Sequence, residues 1–159
     1  MKWDLLERFD VIKKGQVARA QKSFKGSEDF FEEHYPSKPL VPEPLFIEMI
    51  AQVGGVLFGL NLDFKKEIVL AKVSRAIFQT PVIPPCRLDI EAKIDEEREE
   101  GAWISGTVKK DGETVAIAQL LLVTMDKLGD SDAKQIIFSK YFLDHFDVYN
   151  IAKRSEGVA

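Results

Sequence analysis

His34 and Glu48 stand fourteen residues apart across a loop stiffened by Pro36, Pro39, Pro42 and Pro44. Imidazole is the usual proton acceptor near neutral pH. A carboxyl group set between Ile47 and Met49 in an apolar run needs a partner or keeps its proton, because a buried charge without one is costly. The two groups together make an acid–base pair, able to take a proton from one atom and give one to another. Gln52 follows Glu48 by one helical turn, so its amide lies on the same face and can hold the carboxylate. Plain structural roles also fit: a histidine packed among aromatics, or a glutamine satisfied by its neighbours. The second histidine, His145, falls in the C-terminal apolar pattern and reads as a surface or packing residue.

These residues need elements to hold them. The prolines each fix φ and turn the preceding residue away from helix, so the His34 loop is irregular but ordered. Pro44 suits the first turn of a helix predicted to run to Leu60. Its residues, from Leu45 and Phe46 through Leu57, Phe58 and Leu60, leave no polar face, which predicts a helix enclosed on most sides. Gly54-Gly55 weakens such a helix by about 1 kcal/mol each relative to alanine, so the pair predicts close approach of a sheet. Upstream, Gly15 marks a turn and Gln16–Ser23 a strand after a short leading segment, and Ser27 is the candidate cap of a helical turn to Phe31. Downstream the period changes to two. Strands are predicted over 68–78, over 88–94 where Leu88, Ile90, Ala92 and Ile94 alternate with charged residues, over 102–108 and over 114–125, the last two joined by Asp111-Gly112. Beyond Gly129 the pattern is helical, capped by Ser131 or Asp132, with residues from Ser155 on expected to fray.

One helix enclosed by an antiparallel sheet is an α+β domain. At 159 residues, 45% hydrophobic and 30% charged, the chain forms one globular domain over 1–159. Its core covers about 5–126, with a C-terminal helical extension over about 131–153. A net charge of −4 with scattered basic residues excludes a general nucleic-acid binder. The single cysteine, Cys86, cannot pair within the chain and reads as an apolar filler in a cytoplasmic protein. The start of the chain shows no signal-peptide pattern, and the apolar run Met49–Leu60 is short for a bilayer span. Open sheet edges and an uncovered helix face predict at least a homodimer. The residues offer no metal site.

The order His34, Pro36, Pro39, Pro42, then Leu45, Glu48 and Gln52, preceded by Phe30-Phe31, resembles the signature of the beta-hydroxyacyl thioester dehydratases of the hotdog fold. The resemblance spans most of residues 5–126. It implies syn elimination of water from a 3-hydroxyacyl thioester to give a trans-2-enoyl product, in a site shared by two chains. His34 would remove the C2 proton, Glu48 of the other chain would protonate the departing hydroxyl, and the Glu43 N–H at the helix start would steady the enolate. The resemblance implies no cofactor beyond the phosphopantetheine or coenzyme A carrying the acyl group, and an acyl carrier protein as partner. Phe31, Phe46, Phe58 and Phe78 are candidate walls of an acyl tunnel, although core packing accounts for them equally well. The chain departs from the family at Glu33 and Glu43, where glycines are usual, and at Ile77, Gln79 and Thr80, where a basic run is usual; Lys72, Arg75 and Arg87 are the alternative cations. A non-catalytic acyl- or partner-binding protein and a thioesterase, which this fold also hosts, are the competing readings.

Overall fold

The computed structural model describes residues 5–126 and 137–157. In chain order the elements are β1 (Arg8–Lys13), β2 (Val17–Phe24), α1 (Asp29–His34), α2 (Glu43–Asn61), β3 (Glu67–Phe78), β4 (Cys86–Arg98), β5 (Gly101–Lys110), β6 (Glu113–Met125), α3 (Lys140–His145) and α4 (Val148–Ser155). The strands form one antiparallel sheet in the order β1-β2-β4-β5-β6-β3, and α2 packs on its inner face. This is the α+β hotdog arrangement expected from the sequence. Asp111 and Gly112 both have positive φ, as the tight β5–β6 hairpin requires.

The close approach of α2 comes from two interlocking pairs. A Cβ on Gly54 would lie 2.7 Å from Ile104 Cγ2 of β5, and a Cβ on Gly106 of β5 would overlap Ile50 of α2. Each glycine thus receives the isoleucine of the opposite element. Cross-strand register also lines up Ala18, Ala92, Gly106, Ala118 and Ala76 across five strands, a row of small residues level with Ile50. The core on either side holds Met49, Ile50, Val53, Val56 and Leu57 of α2 against Leu88, Ile90, Ile104 and Leu120, all at most 1% exposed.

Several sequence expectations change. The leading segment is a strand, β1, paired along β2. Ser27 does not cap α1; the cap position is Glu28, and its side chain turns backward. Gly55 meets Phe138 rather than the sheet. Phe138 begins an aromatic chain through Phe142 and Phe146 to Phe9 of β1, so the C-terminal segment covers the far half of α2. The extension forms two short helices with Ser139 capping the first, its hydroxyl accepting from the Phe142 N–H; the candidate caps Ser131 and Asp132 lie outside the described residues. Ser155 does not fray. It is buried, and its hydroxyl accepts the Ile12 N–H at 3.1 Å, closing part of the β1 edge. At nineteen residues α2 is long and apolar enough to cross a bilayer, yet 72% of its most apolar window is buried within the domain, which marks the core helix of a soluble protein.

At the opposite sheet edge, Leu70 and Val73 of β3 pair with the inward-facing Leu122 and Leu120, yet they are 39% and 40% exposed, so among the described residues this stretch of the inner face lacks a full cover.

Candidate active site

Among the described residues, one face of the N-terminal half of α2 is left partly uncovered, so the enclosure expected from its sequence is incomplete. Glu43 and Pro44 are exposed and Ile47, Glu48 and Gln52 half-buried, whereas Met49, Ile50 and Val53 on the opposite side face the sheet. Glu48 is therefore not the fully buried carboxylate that its apolar neighbours suggested. It sits at the boundary between core and solvent, and its Oε1 accepts a hydrogen bond from Gln52 Nε2 at 3.0 Å. That bond fixes the carboxylate and leaves Oε2 open to a further partner.

The start of α2 is electrophilic. Its first amides have no intrahelical acceptor, and the aligned peptide dipoles place partial positive charge there. Pro44 brings no N–H, and the Leu45 N–H is taken by the Pro42 carbonyl at 3.0 Å. Glu43 N–H is thus the free donor among these three residues, and the Glu43 side chain is exposed to solvent.

His34 is the last residue of α1. It is exposed, its ring meets Tyr35 edge-on with centroids 4.4 Å apart, and its side chain makes no hydrogen bond or ion pair to the described residues of its own chain. Phe31, one turn earlier, anchors α1: it is buried and packs edge-on against Phe24 at 6.0 Å. The loop from Tyr35 then runs over the surface until the Val41 N–H bonds the Val82 carbonyl at 2.9 Å, and α2 follows immediately. The proline loop therefore has a fixed far end.

The four candidate tunnel residues separate. Phe31 and Phe58 are core residues, Phe46 is buried beside Phe78 at 6.3 Å, and Phe78 alone keeps partial exposure. Two surface cavities of about 350 and 340 Å³, one beside Trp103 and Leu121 and the other beside Arg19 and Glu91, include neither these phenylalanines nor His34 or Glu48. Among the described residues no cluster of His, Cys, Asp and Glu is suited to a metal ion. Cys86 packs against the core, and burial pushes its thiol pKa up, with Lys110 opposing, so it is a poor nucleophile.

Glu28 escaped the sequence reading, which looked to Ser27 for the cap of this turn. Its carboxylate accepts the Lys25 N–H at 2.8 Å and the Gly26 N–H at 2.7 Å. The signal was present but indirect, a carboxylate two residues after a glycine.

Comparison with known proteins adds to this geometry. A family model described as a FabA-like domain matches residues 2–119. The 3-hydroxyacyl-[acyl-carrier-protein] dehydratase FabZ of Campylobacter lari is 33% identical over 129 residues, which cover 77% of this chain and 88% of that protein. Among solved structures, the dehydratase heterocomplex ApeI:P from Xenorhabdus doucetiae superposes with a TM-score of 0.66 at 18% identity, over 79% of this chain and 85% of that one. The thioesterase HI1161 of Haemophilus influenzae shares the fold at a TM-score of 0.57 and 12% identity, over 73% and 76%. The fold is thus common to proteins of different chemistry, and the sequence relationship carries the distinction.

Proposed function

Because the chain belongs to the FabA-like family, we propose that it is a 3-hydroxyacyl-[acyl-carrier-protein] dehydratase, a hydro-lyase that converts a 3-hydroxyacyl thioester to the trans-2-enoyl thioester and water. The observation that carries this reading is the Glu48–Gln52 pair on the open start of α2, reached by a loop that carries His34. His34 takes the proton from C2. The electron pair left at C2 delocalises onto the thioester oxygen, where the Glu43 N–H at the positive end of α2 steadies it. As the C2–C3 double bond forms, the C3–O bond breaks and Glu48 gives its proton to the departing hydroxyl, which leaves as water. A general acid or base typically contributes about 10²–10⁴-fold, and an oxyanion donor about 10²–10³-fold, so the reaction needs both.

The site belongs to a homodimer in this reading. His34 faces solvent on its own chain and has no wall among the described residues to close a cavity, while the apolar inner-face residues Leu70 and Val73 at the β3 edge are the surface a second copy would cover. Glu48 of the partner subunit then works with His34. The exposed cations Lys72, Arg75 and Arg87 suit an acidic acyl carrier protein or the phosphates of coenzyme A, in the cytoplasm.

The test is hydration of an enoyl thioester, followed by loss of its conjugated absorbance. Wild type is expected to reach equilibrium with no free thiol released, and His34→Ala and Glu48→Gln each to lose about 10²-fold or more. Thiol release would make the protein a thioesterase. Binding without turnover would make it an acyl-binding protein, and full activity in either variant would remove the mechanism.

A further inference from the structure

We propose that Glu28 is the positioning residue for His34, a carboxylate clamp that fixes the turn from β2 into α1 and so aims the imidazole at the end of that helix. The functional half of the proposal rests on His34 being the base. The structural half stands without it.

Helix α1 has six residues, about half the length at which an isolated helix becomes even marginally stable, so its direction depends on what holds its ends. Cap positions favour Ser, Thr, Asp and Asn because their short side chains bond the first amides of the helix. Here the cap is Glu28, and its side chain makes no such bond. It reaches back instead, one oxygen to the Lys25 N–H and the other to the Gly26 N–H. Gly26 has φ +95°, and a Cβ on it would stand 3.3 Å from two carbons of Pro84. The turn thereby lies close against the segment 79–85, whose Val82 carbonyl also receives the Val41 N–H. Both ends of the stretch carrying His34 thus meet one neighbouring segment, by the close approach of Gly26 to Pro84 at the start and by a backbone bond at the finish. Phe31 pins the middle in the pocket of Phe24.

The electrostatics agree with this geometry. Burial pushes the Glu28 carboxyl pKa up, but hydrogen bonds from the amides of Lys25, Glu28 itself and Gly26 outweigh it, with Lys22 adding attraction, so the group is held below the usual glutamate value and ionised at neutral pH. Both bonds are then charge-assisted, roughly twice as strong as neutral ones. Glutamine at this place keeps the reach but has one carbonyl oxygen and no charge. Alanine keeps nothing.

The chain has two histidines, so the imidazole resonances of His34 can be assigned against His145→Gln. Tyr35 lies edge-on to His34 at 4.4 Å, and the ring-current displacement of the His34 C–H signals reports how firmly that geometry is held. In Glu28→Ala these signals are expected to move toward their unfolded positions while amide signals of α2 stay, and in Glu28→Gln to move part of the way. Hydration of the enoyl thioester, measured well below the unfolding temperature, is expected to lose about 10²-fold in kcat in Glu28→Ala, the effect of a displacement near 1 Å, with KM unchanged and partial recovery in Glu28→Gln. If Glu28→Ala does not fold, Glu28→Gln carries both measurements. Unmoved His34 signals would overturn the clamp. Moved signals with unchanged kcat would overturn its role in the reaction. Moved signals in a protein with no His34-dependent hydration would uphold the clamp and overturn the dehydratase reading instead.

Discussion

Replacing Gly106 by alanine tests whether the isoleucine–glycine interlock sets the height of α2 above the sheet. The backbone at Gly106 has no positive φ, so alanine is conformationally tolerated, and elsewhere such a change stabilises by about 0.4–1 kcal/mol through the unfolded chain. Here the new methyl overlaps Ile50 Cγ2 and lies 3.0 and 3.1 Å from Ile50 Cγ1 and Cβ, against an ordinary carbon separation of about 3.5–4.0 Å. Ile50 is fully buried, and as a β-branched residue in a helix it is held near one rotamer. Gly54 against Ile104 blocks a rotation of the helix one turn away. The helix must therefore lift, by about 1 Å to restore ordinary contact. Overpacking of this kind costs about 1–3 kcal/mol. With three Ile50 atoms involved the upper part of that range applies, so after the gain above the net loss is about 2 kcal/mol, or roughly 4–8 °C in Tm for a chain of this length. Urea unfolding measures it. Ile50→Ala alone costs about 2–5 kcal/mol from the cavity it leaves, and in the double variant the Gly106→Ala methyl occupies part of that space. The double variant should then be at least about 1 kcal/mol more stable than the sum of the two losses implies. Additivity within about 0.5 kcal/mol would refute the interlock. Because α2 carries Glu48, the same lift is expected to lower the hydration rate, and Ile50→Ala in the double variant to restore part of it.

Two further outcomes follow from contacts away from the site. Ser155→Ala leaves the buried Ile12 N–H without its acceptor and should cost about 1–3 kcal/mol in urea unfolding, with faster hydrogen exchange at Ile12; unchanged exchange would deny that α4 closes the β1 edge. Burial pushes the Glu91 carboxyl pKa up, but the Arg19 guanidinium at 2.7 Å and the Lys93 ammonium at 3.3 Å outweigh it, so the folded value lies below the unfolded one. Its stabilisation is therefore complete above the ordinary glutamate range and lost as pH falls through the lower folded value. The stability gap between wild type and Glu91→Gln should close as pH drops below about 4.3, and a gap independent of pH would contradict the assignment.

The sequence alone determined what local pattern can encode. Alternation of period two marked β4 to β6, Asp111-Gly112 marked their hairpin, the prolines marked the ordered loop, and the unbroken apolar run marked the central helix. The spacing of His34, Glu48 and Gln52 placed the last two on one helical face, and the Gln52–Glu48 hydrogen bond has the geometry that this spacing implies. What it left undecided depends on which surfaces meet. Whether an apolar helix is enclosed all round is a property of its neighbours, and here the far half of α2 is covered by Phe138 while the half with Glu48 is open. The row Ala18, Ala92, Gly106, Ala118, Ala76 is invisible along the chain because its members come from five strands, and only cross-strand register brings them level. Ser155 reads as a terminal residue until α4 lies beside β1, and Glu28 as one of two acidic residues in a helix's first turn until its carboxylate turns back on two amides. Periodicity records which face a residue occupies. Packing decides what that face touches, and tertiary contact alone supplied that information for this protein.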